Sequence, residues 1–455
     1  MSVFGTRSPY VDIPSAPTLV SPITIVPGDR HVPSNSFLNN LHGMKAYQGK
    51  DIILDGNFTE ALKLNDYTSK PYSSGFDERF DKATLIGEPF RFVNTAGTII
   101  GSAIAANHGL DVVTDANNFE FYGLDANNPL LIRTANNGAQ LSSRVGGSRY
   151  IIQNAVIDSP GTSGTTFNYA VGGSRFYQYV ELSFVRVFNP GQEGICYIGA
   201  TNSGYDKHIK VIVHDCFSYN SNREGTQTEH IPDLLLYNNT CILTGQETPP
   251  PGGQNGLIQL HDVNGYVLNS IYDDPSAAIA TNIGTIFTHG TTVRNCYFRW
   301  NNGQYFVGIS TSSYFAGSPR LNGKPVLFDS CIFHFDNVGN IASLCDFNET
   351  GCDYEFRNCV FSPNILAIFT DNRVGNFKNK IIGSLGTNGN KTATITPPGY
   401  LSANYNLYSD YLNHGLIDET TVPYSGSLSY YKRRMGYRTP RPEIITIGGD
   451  SFAAR

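Results

Sequence analysis

Val293-Arg-Asn-Cys-Tyr-Phe298, Phe328-Asp-Ser-Cys-Ile-Phe333 and Phe356-Arg-Asn-Cys-Val-Phe361 are three copies of one pattern: apolar, any, polar, small, any, apolar. Toward the N-terminus the same six residues return as Val267-Leu-Asn-Ser-Ile-Tyr272, Leu236-Tyr-Asn-Asn-Thr-Cys241, Val213-His-Asp-Cys-Phe-Ser218, Val180-Glu-Leu-Ser-Phe-Val185 and Ile152-Gln-Asn-Ala-Val-Ile157, with Phe119-Glu-Phe-Tyr-Gly-Leu124 as an earlier member. The fourth position runs Ala155, Ser183, Cys216, Asn239, Ser270, Cys296, Cys331, Cys359, at intervals of 28, 33, 23, 31, 26, 35 and 28 residues. Short units of this kind read as strands, and their return every 20–50 or so residues is the mark of a solenoid, where each repeat buries its apolar side against its neighbours. A small residue or Asn once per coil predicts a sharp inward turn at that position. The expected fold is therefore all-β, a parallel β-helix in which Cys216, Cys296, Cys331 and Cys359 share one column. Cys331 and Cys359 would lie on neighbouring coils about 4.8 Å apart, a spacing that suits either buried thiols or a disulfide.

Composition agrees. A chain of 455 residues exceeds a single ordinary core, which stops growing near roughly 250–300 residues, whereas a solenoid has no such limit. Charged residues are 15% of the chain, against a usual figure of about 25%, and Gly (46), Tyr (27) and Phe (27) are abundant while Met (3) is scarce. Strands joined by tight turns use that mixture. The net charge of −6 and the lack of a basic run argue against nucleic acid as a partner. No apolar stretch reaches 18 residues, so no membrane-spanning helix is expected, and the N-terminal segment, cut by Pro9, Pro14, Pro17, Pro22, Pro27 and Pro33, does not read as a secretory signal. Neither a CxxC pair nor a Cys/His cluster has zinc spacing, so no metal and no cofactor is expected.

Four regions follow. Residues 1–45 read as a Pro-rich arm or docking segment, and 46–92 as an N-terminal cap region with a short helical stretch near Asp77–Ala83. Residues 93–375 carry the β-helix. Residues 376–455 read as a cap and a Tyr-rich tail, with Lys432-Arg433-Arg434 as a solvated turn or subunit contact, because a solenoid must cover its terminal coil.

On its Asn-Asn and Asn-Cys turn motifs, over roughly residues 90 to 375, the chain resembles the pectate-lyase-like superfamily of right-handed parallel β-helices. That group contains polysaccharide lyases, glycoside hydrolases, epimerases and phage tailspikes. The resemblance implies a right-handed solenoid and a carbohydrate ligand, and fits no single member family. Asp273-Asp274 and His289-Gly290 echo polygalacturonase motifs at a spacing too short for successive coils.

Two further columns bear on chemistry. Glu193-Gly194, Glu224-Gly225 and Asn255-Gly256 recur at 31 and 31 residues, each ahead of a strand-like run, with Arg223 beside Glu224. Carboxylates one coil apart would be about 5 Å from each other, near the separation in retaining glycosidases. Repulsion would raise one pKa to make a general acid, and Arg223 would steady the ionised partner or a substrate carboxylate. The same residues before Gly also serve as ordinary turn residues satisfied by backbone N–H groups. Six residues on, His230 and His261 form a column, about 20 Å from the carboxylates, that with Gln259 could hold sugar hydroxyls. Trp300 and Tyr305, placed in a loop, could stack on sugar rings. Lyase chemistry would need a base such as Lys207 or Lys210. A further outward row, Gln153, Glu181, His214, Tyr237, Leu268, Arg294, Asp329, Arg357, alternates in charge and reads as stitching between coils.

These features point to a surface-glycan-recognising β-helix of tailspike type, with depolymerisation of the polysaccharide left open, to a secreted lyase or hydrolase, or to a non-catalytic component of a virion or other extracellular assembly. A polysaccharide or cell-surface glycan is the expected partner. The expected state is a homo-oligomer, a trimer among the options, or part of a larger assembly, in an extracellular or virion-associated location.

Overall fold

The computed structural model describes residues 13–27, 51–59, 62–65, 90–100, 108–113, 118–133, 137–142, 149–158, 179–188, 190, 194–198, 210–219, 221, 224–229, 231, 233–242, 257–261, 263–274, 285–286, 291–300, 305–307, 326–335, 342–347, 354–357, 359–361, 365–371, 380–382, 445–447 and 450–452. Among them the regular structure is all β. Strands pair in parallel, except for an antiparallel pair formed by Ile445–Ile447 and Asp450–Phe452. The chain divides into two compact units, one centred on Tyr10–Tyr219 and the other on Asn220–Pro440.

In the first unit, Ile23–Ile25, Asp51–Leu54, Phe90–Asn94, Asn118–Tyr122, Arg149–Asp158, Tyr179–Phe188 and Lys210–His214 form one parallel ladder. A second ladder joins Asn57–Phe58, Ile99–Ile100 and Leu130–Arg133 to the later halves of the two ten-residue strands and then to Phe217–Tyr219. A third holds Leu62–Asn65, His108–Val113 and Asn137–Ser142. Side chains alternate across each strand. Ile52, Phe92, Phe121, Ile152, Leu182 and Val213 stand in register as one buried inward column.

The bend between the first two ladders lies at a residue with left-handed backbone: Asn154 (φ 58°), Phe184 (φ 55°) and Asp215 (φ 53°). This corrects the expected turn by one position. The third residue of each repeat makes the turn, because short polar side chains such as Asn and Asp tolerate that conformation. The fourth points inward, where Ala155, Val185 and Cys216 are buried and little space remains. Phase is corrected as well. Ile152 pairs with Leu182, so Ala155 stacks on Val185 and not on Ser183, and the repeat copy is Leu182–Val187. Alternation has a period of two, so the chosen frame, out by two residues, satisfied it equally well.

The second unit repeats the plan. One ladder runs Asp233–Tyr237, Gly265–Leu268, Thr291–Arg294, Val326–Asp329, Tyr354–Arg357, Lys380–Ile382. The next runs Thr240–Ile242, Ile271–Asp274, Tyr297–Trp300, Ile332–Phe335, Val360–Phe361. Two shorter ladders are Thr226–Glu229 with Ile258–His261 and Thr285–Ile286, and Tyr305–Val307 with Ala342–Phe347 and Ile365–Asp371. Left-handed turns fall at Asn238, Asn269, Asn295 and Ser330, and Asn295 Nδ2 donates to Asn269 Oδ1 at 3.3 Å. Cys296, Cys331 and Cys359 are buried free thiols. Each donates to the carbonyl two residues earlier and to one on the preceding strand, and burial pushes the Cys296 and Cys359 thiols well above their ordinary pKa. Gly265 packs so closely that a Cβ there would sit 2.0 Å from the Leu234 carbonyl oxygen, so a side chain has no room.

The ladders extend past the region expected to hold them. They begin at Ile23, inside the Pro-rich arm, and include Lys380–Ile382. Residues 14–20 of the arm also have a defined course. Gln153 Nε2 donates to Pro14 O (3.4 Å), Ala16 N to Leu124 O (2.9 Å) and Arg91 Nη2 to Thr18 O (3.4 Å). Asp51 N donates to Val20 O (3.1 Å), and the Asp51 carboxylate accepts from Val20 N. The segment thus crosses the outer face of four successive strands before turning, at left-handed Ser21, into the first strand. The helical stretch expected near Asp77–Ala83 and the Tyr-rich tail with Lys432-Arg433-Arg434 lie outside the described residues.

Candidate functional site

The outward face of the first unit carries a column of ionisable residues. Asp51, Arg91 and Glu120 are in register on neighbouring strands, followed by Ile151 and Glu181. Asp51 is buried and forms a two-pronged pair with Arg91, Nε to Oδ1 at 2.5 Å and Nη2 to Oδ2 at 2.6 Å. That hydrogen bond, outweighing partial burial and helped by the Asp51 and Glu120 charges, raises the Arg91 pKa further above its already high value. Tyr122 donates to Glu120 Oε2 at 2.9 Å.

Farther along the same face, Tyr179 donates to Glu181 Oε2 at 2.6 Å. His214 is held at both ends of its ring, Nε2 by Glu181 Oε1 at 3.2 Å and Nδ1 by Asp215 Oδ2 at 2.8 Å. Burial works against the imidazolium, but the hydrogen bonds and charges of Asp215 and Glu181 together outweigh it and raise the pKa. With both nitrogens donating to carboxylates, His214 acts as a cationic tie between strands and is poorly placed as a base. The expected Glu181–His214 stitch is present, and so is Arg294–Asp329 at 3.0 Å, whereas Arg357 turns to Glu355 on its own strand. The sequence reading missed Tyr179 and Asp215 in this cluster. The signal available was Asp at the left-handed turn position beside an outward His.

The residues singled out for chemistry are spread differently from their expected columns. Glu224 lies just ahead of the Thr226–Glu229 strand and is buried, 2% exposed. Glu193, Arg223 and His230 lie outside the described residues, as do Asn255 and Lys207. Thr226 pairs with Ile258 and Glu229 with His261, an interval of 32 rather than 31. His261 therefore stands opposite Glu229 in the register, one residue before the position the expected column required. Gln259 stands opposite Gln227. Tyr305 opens the Tyr305–Val307 strand opposite Ser343. Trp300 ends a strand instead of sitting in a loop. It is 2% exposed, with its ring 5.5 Å from that of Phe335, so it packs in the core and offers no open face to a sugar. Among the described residues the large aromatic that is open is Tyr266, 55% exposed on the outward face of the second unit.

Among the described residues no group of three or more His, Cys, Asp or Glu is arranged to hold a metal ion, and no helix is long and apolar enough to cross a membrane. Comparison with protein-family models, curated proteins and solved structures finds no match.

Proposed function

We propose that this chain is a right-handed parallel β-helix that recognises a surface glycan, in the manner of a tailspike or similar extracellular component. Handedness rests on the general rule that parallel strands in one sheet are joined by right-handed crossovers. The observation that carries the ligand is the outward face of the second unit. Tyr266 is open there, and Arg294 (52% exposed) and Arg357 (48%) recur on strands spaced by about 4.8 Å. A polymer lying along such a face meets an aromatic surface and hydrogen-bonding groups at intervals comparable to its own repeat, and aromatic faces pack on the apolar faces of sugar rings. Enclosure of Glu224 supports its reading as a structural residue and favours binding over bond cleavage.

The test is electrophoretic retardation of the purified protein in gels containing acidic or neutral bacterial polysaccharides, followed by assays of the same mixtures for reducing ends and for the ultraviolet absorbance of unsaturated uronates. Retardation by one polymer, weakened by Tyr266→Ala, is the expected result. Reducing ends with absorbance would make the protein a lyase. Reducing ends without it, abolished by Glu224→Gln, would make it a hydrolase acting through Glu193 and Glu224. A protein retarded by no polymer in a broad panel would leave the structural, non-binding role.

A further inference from the structure

The outward face of the second unit carries a row of alternating charge. Leu268, Arg294, Asp329 and Arg357 stand in register on four successive strands, with Tyr266 and Thr292 in the outward column beside them. Strands lie about 4.8 Å apart, so Arg294 and Arg357 are separated by about 9.6 Å with Asp329 midway.

The two guanidinium groups are steadied in the same way. Arg294 donates from Nε to Asp329 Oδ2 at 3.0 Å, and Arg357 donates from Nε to Glu355 Oε1. One carboxylate thus takes the Nε edge of each group, and among the described residues the Nη ends make no further hydrogen bond or ion pair. Those ends are open to solvent, since the Arg294 side chain is 52% exposed and that of Arg357 48%. A guanidinium so held presents a fork of N–H donors that matches a carboxylate or another oxyanion. Asp329 has the opposite character. Its Oδ1 accepts from Ser330 Oγ at 3.0 Å and its Oδ2 from Arg294, so it is a fixed acceptor that still reaches solvent.

Seen from outside, the row reads cation, anion, cation at intervals of one strand. A complementary ligand carries an anion, an uncharged hydroxyl-bearing unit and an anion at the same intervals. Hydroxyls can donate to Asp329, whereas a third anion placed there is repelled, and such like-charge contacts reject wrong partners. One strand ahead of Arg294, the open ring of Tyr266 and half-buried Leu268 offer an apolar surface to a sugar ring.

We infer that this row selects an acidic polysaccharide in which charged and neutral sugars alternate, Arg294 and Arg357 each holding an acidic group and Asp329 the neutral sugar between them. The polymer lies across the strands, along the direction in which they stack. The inference rests on the glycan reading and adds to it the charge pattern of the ligand.

The test is affinity electrophoresis and calorimetric titration of the full chain with polymers of known charge pattern. Hyaluronan and unsulfated chondroitin alternate uronate with a neutral N-acetylhexosamine, polygalacturonate is charged at every sugar, and dextran at none. The alternating polymers are expected to bind more tightly than polygalacturonate, with dextran weakest. Arg294→Gln and Arg357→Gln should each weaken the alternating polymers by about two- to fivefold. Asp329→Asn should narrow their lead over polygalacturonate. Arg294→Lys, which keeps the charge and loses the fork, should recover only part of the affinity, and urea unfolding of each variant checks that the fold is retained. Polygalacturonate bound as tightly as the alternating polymers, or arginine variants that bind them unchanged, would overturn the inference. Dextran binding that Tyr266→Ala weakens and the arginine changes leave alone overturns it while keeping the glycan reading. Binding to none of these polymers overturns both.

Discussion

In the first unit the inward column Ile52, Phe92, Phe121, Ile152, Leu182, Val213 is mainly aliphatic toward its C-terminal end, and the turn positions are Asn154, Phe184 and Asp215. In the second unit the counterpart column Leu236, Val267, Val293, Phe328, Phe356 turns aromatic toward its C-terminal end, and the second-ladder column beside it is aromatic from Tyr272 to Phe361. Tyr272, Phe298, Phe333 and Phe361 stack with ring centroids 5.5, 5.4 and 5.0 Å apart, Phe328 and Phe356 stack at 4.8 Å, and the turns are Asn238, Asn269, Asn295 and Ser330. The units also differ outside. The first has its early strands crossed by the arm over an Asp51–Arg91–Glu120 column, while the second leaves Tyr266 and Arg294 open. One backbone plan thus tolerates two kinds of filling. Where side chains repeat identically from strand to strand, stacking and Asn ladders hold the register. Where they vary, individual pairs such as Asp51–Arg91 and the His214 tie do so.

The comparison can be broken most severely at Phe333, which lies between Phe298 and Phe361 and meets Phe328 and Phe356 edge-on at 5.6 Å. Phe333→Ala is expected to cost about 3–5 kcal/mol in denaturant unfolding, more than Leu182→Ala in the first unit, where the neighbours are slimmer. Asp51→Ala comes next. It removes both prongs from Arg91 and the acceptor of Val20 N, and is expected to cost about 2–3 kcal/mol. A similar loss in a variant with the arm deleted would show that the arm is not held by that carboxylate.

The turn positions sharpen the contrast more gently. Asn295→Ala places a Cβ-bearing residue without Asn's local hydrogen bond at φ 55°, and is expected to cost about 1–2 kcal/mol, with Asn295→Gly milder. At His214 the effect depends on pH. Its folded pKa is raised above the unfolded value of about 6.5, so its stabilisation is complete below that pH and is lost as pH rises through the folded value. Urea titrations of the first unit's transition should therefore lose stability on the alkaline side, and His214→Gln should flatten that slope. Smallest is Arg294→Ala. Its ion pair with Asp329 is half exposed, and a change of about 0–1 kcal/mol in the same unfolding assay is expected.

Legibility in the sequence followed the same division. The Asn-Cys repeats of the second unit are regular enough that Cys296, Cys331 and Cys359 fall in one column as expected. In the first unit the left-handed turn falls at Phe184 and not at Ser183 as expected, and the frame chosen for residues 180–185 was two residues out. Among candidate site residues, counting from Gly to Gly predicted 31 residues between strands, while hydrogen bonding uses 32, and that single residue moved His261 opposite Glu229. Trp300 was misplaced because hydropathy does not distinguish a strand end in the core from a loop.

By itself the sequence determined the strand period and the residue types that line the interior, because these follow from local alternation and from the size of side chain each position admits, and the return of one unit along the chain pointed to parallel stacking. Only the tertiary structure decided the register between successive strands, the left-handed turn at the third repeat position, the enclosure of Glu224 and Trp300, and the path of the arm over Asp51 and Arg91. Each of these depends on which distant residues meet, and the lengths of the connecting segments vary too much for spacing alone to specify that.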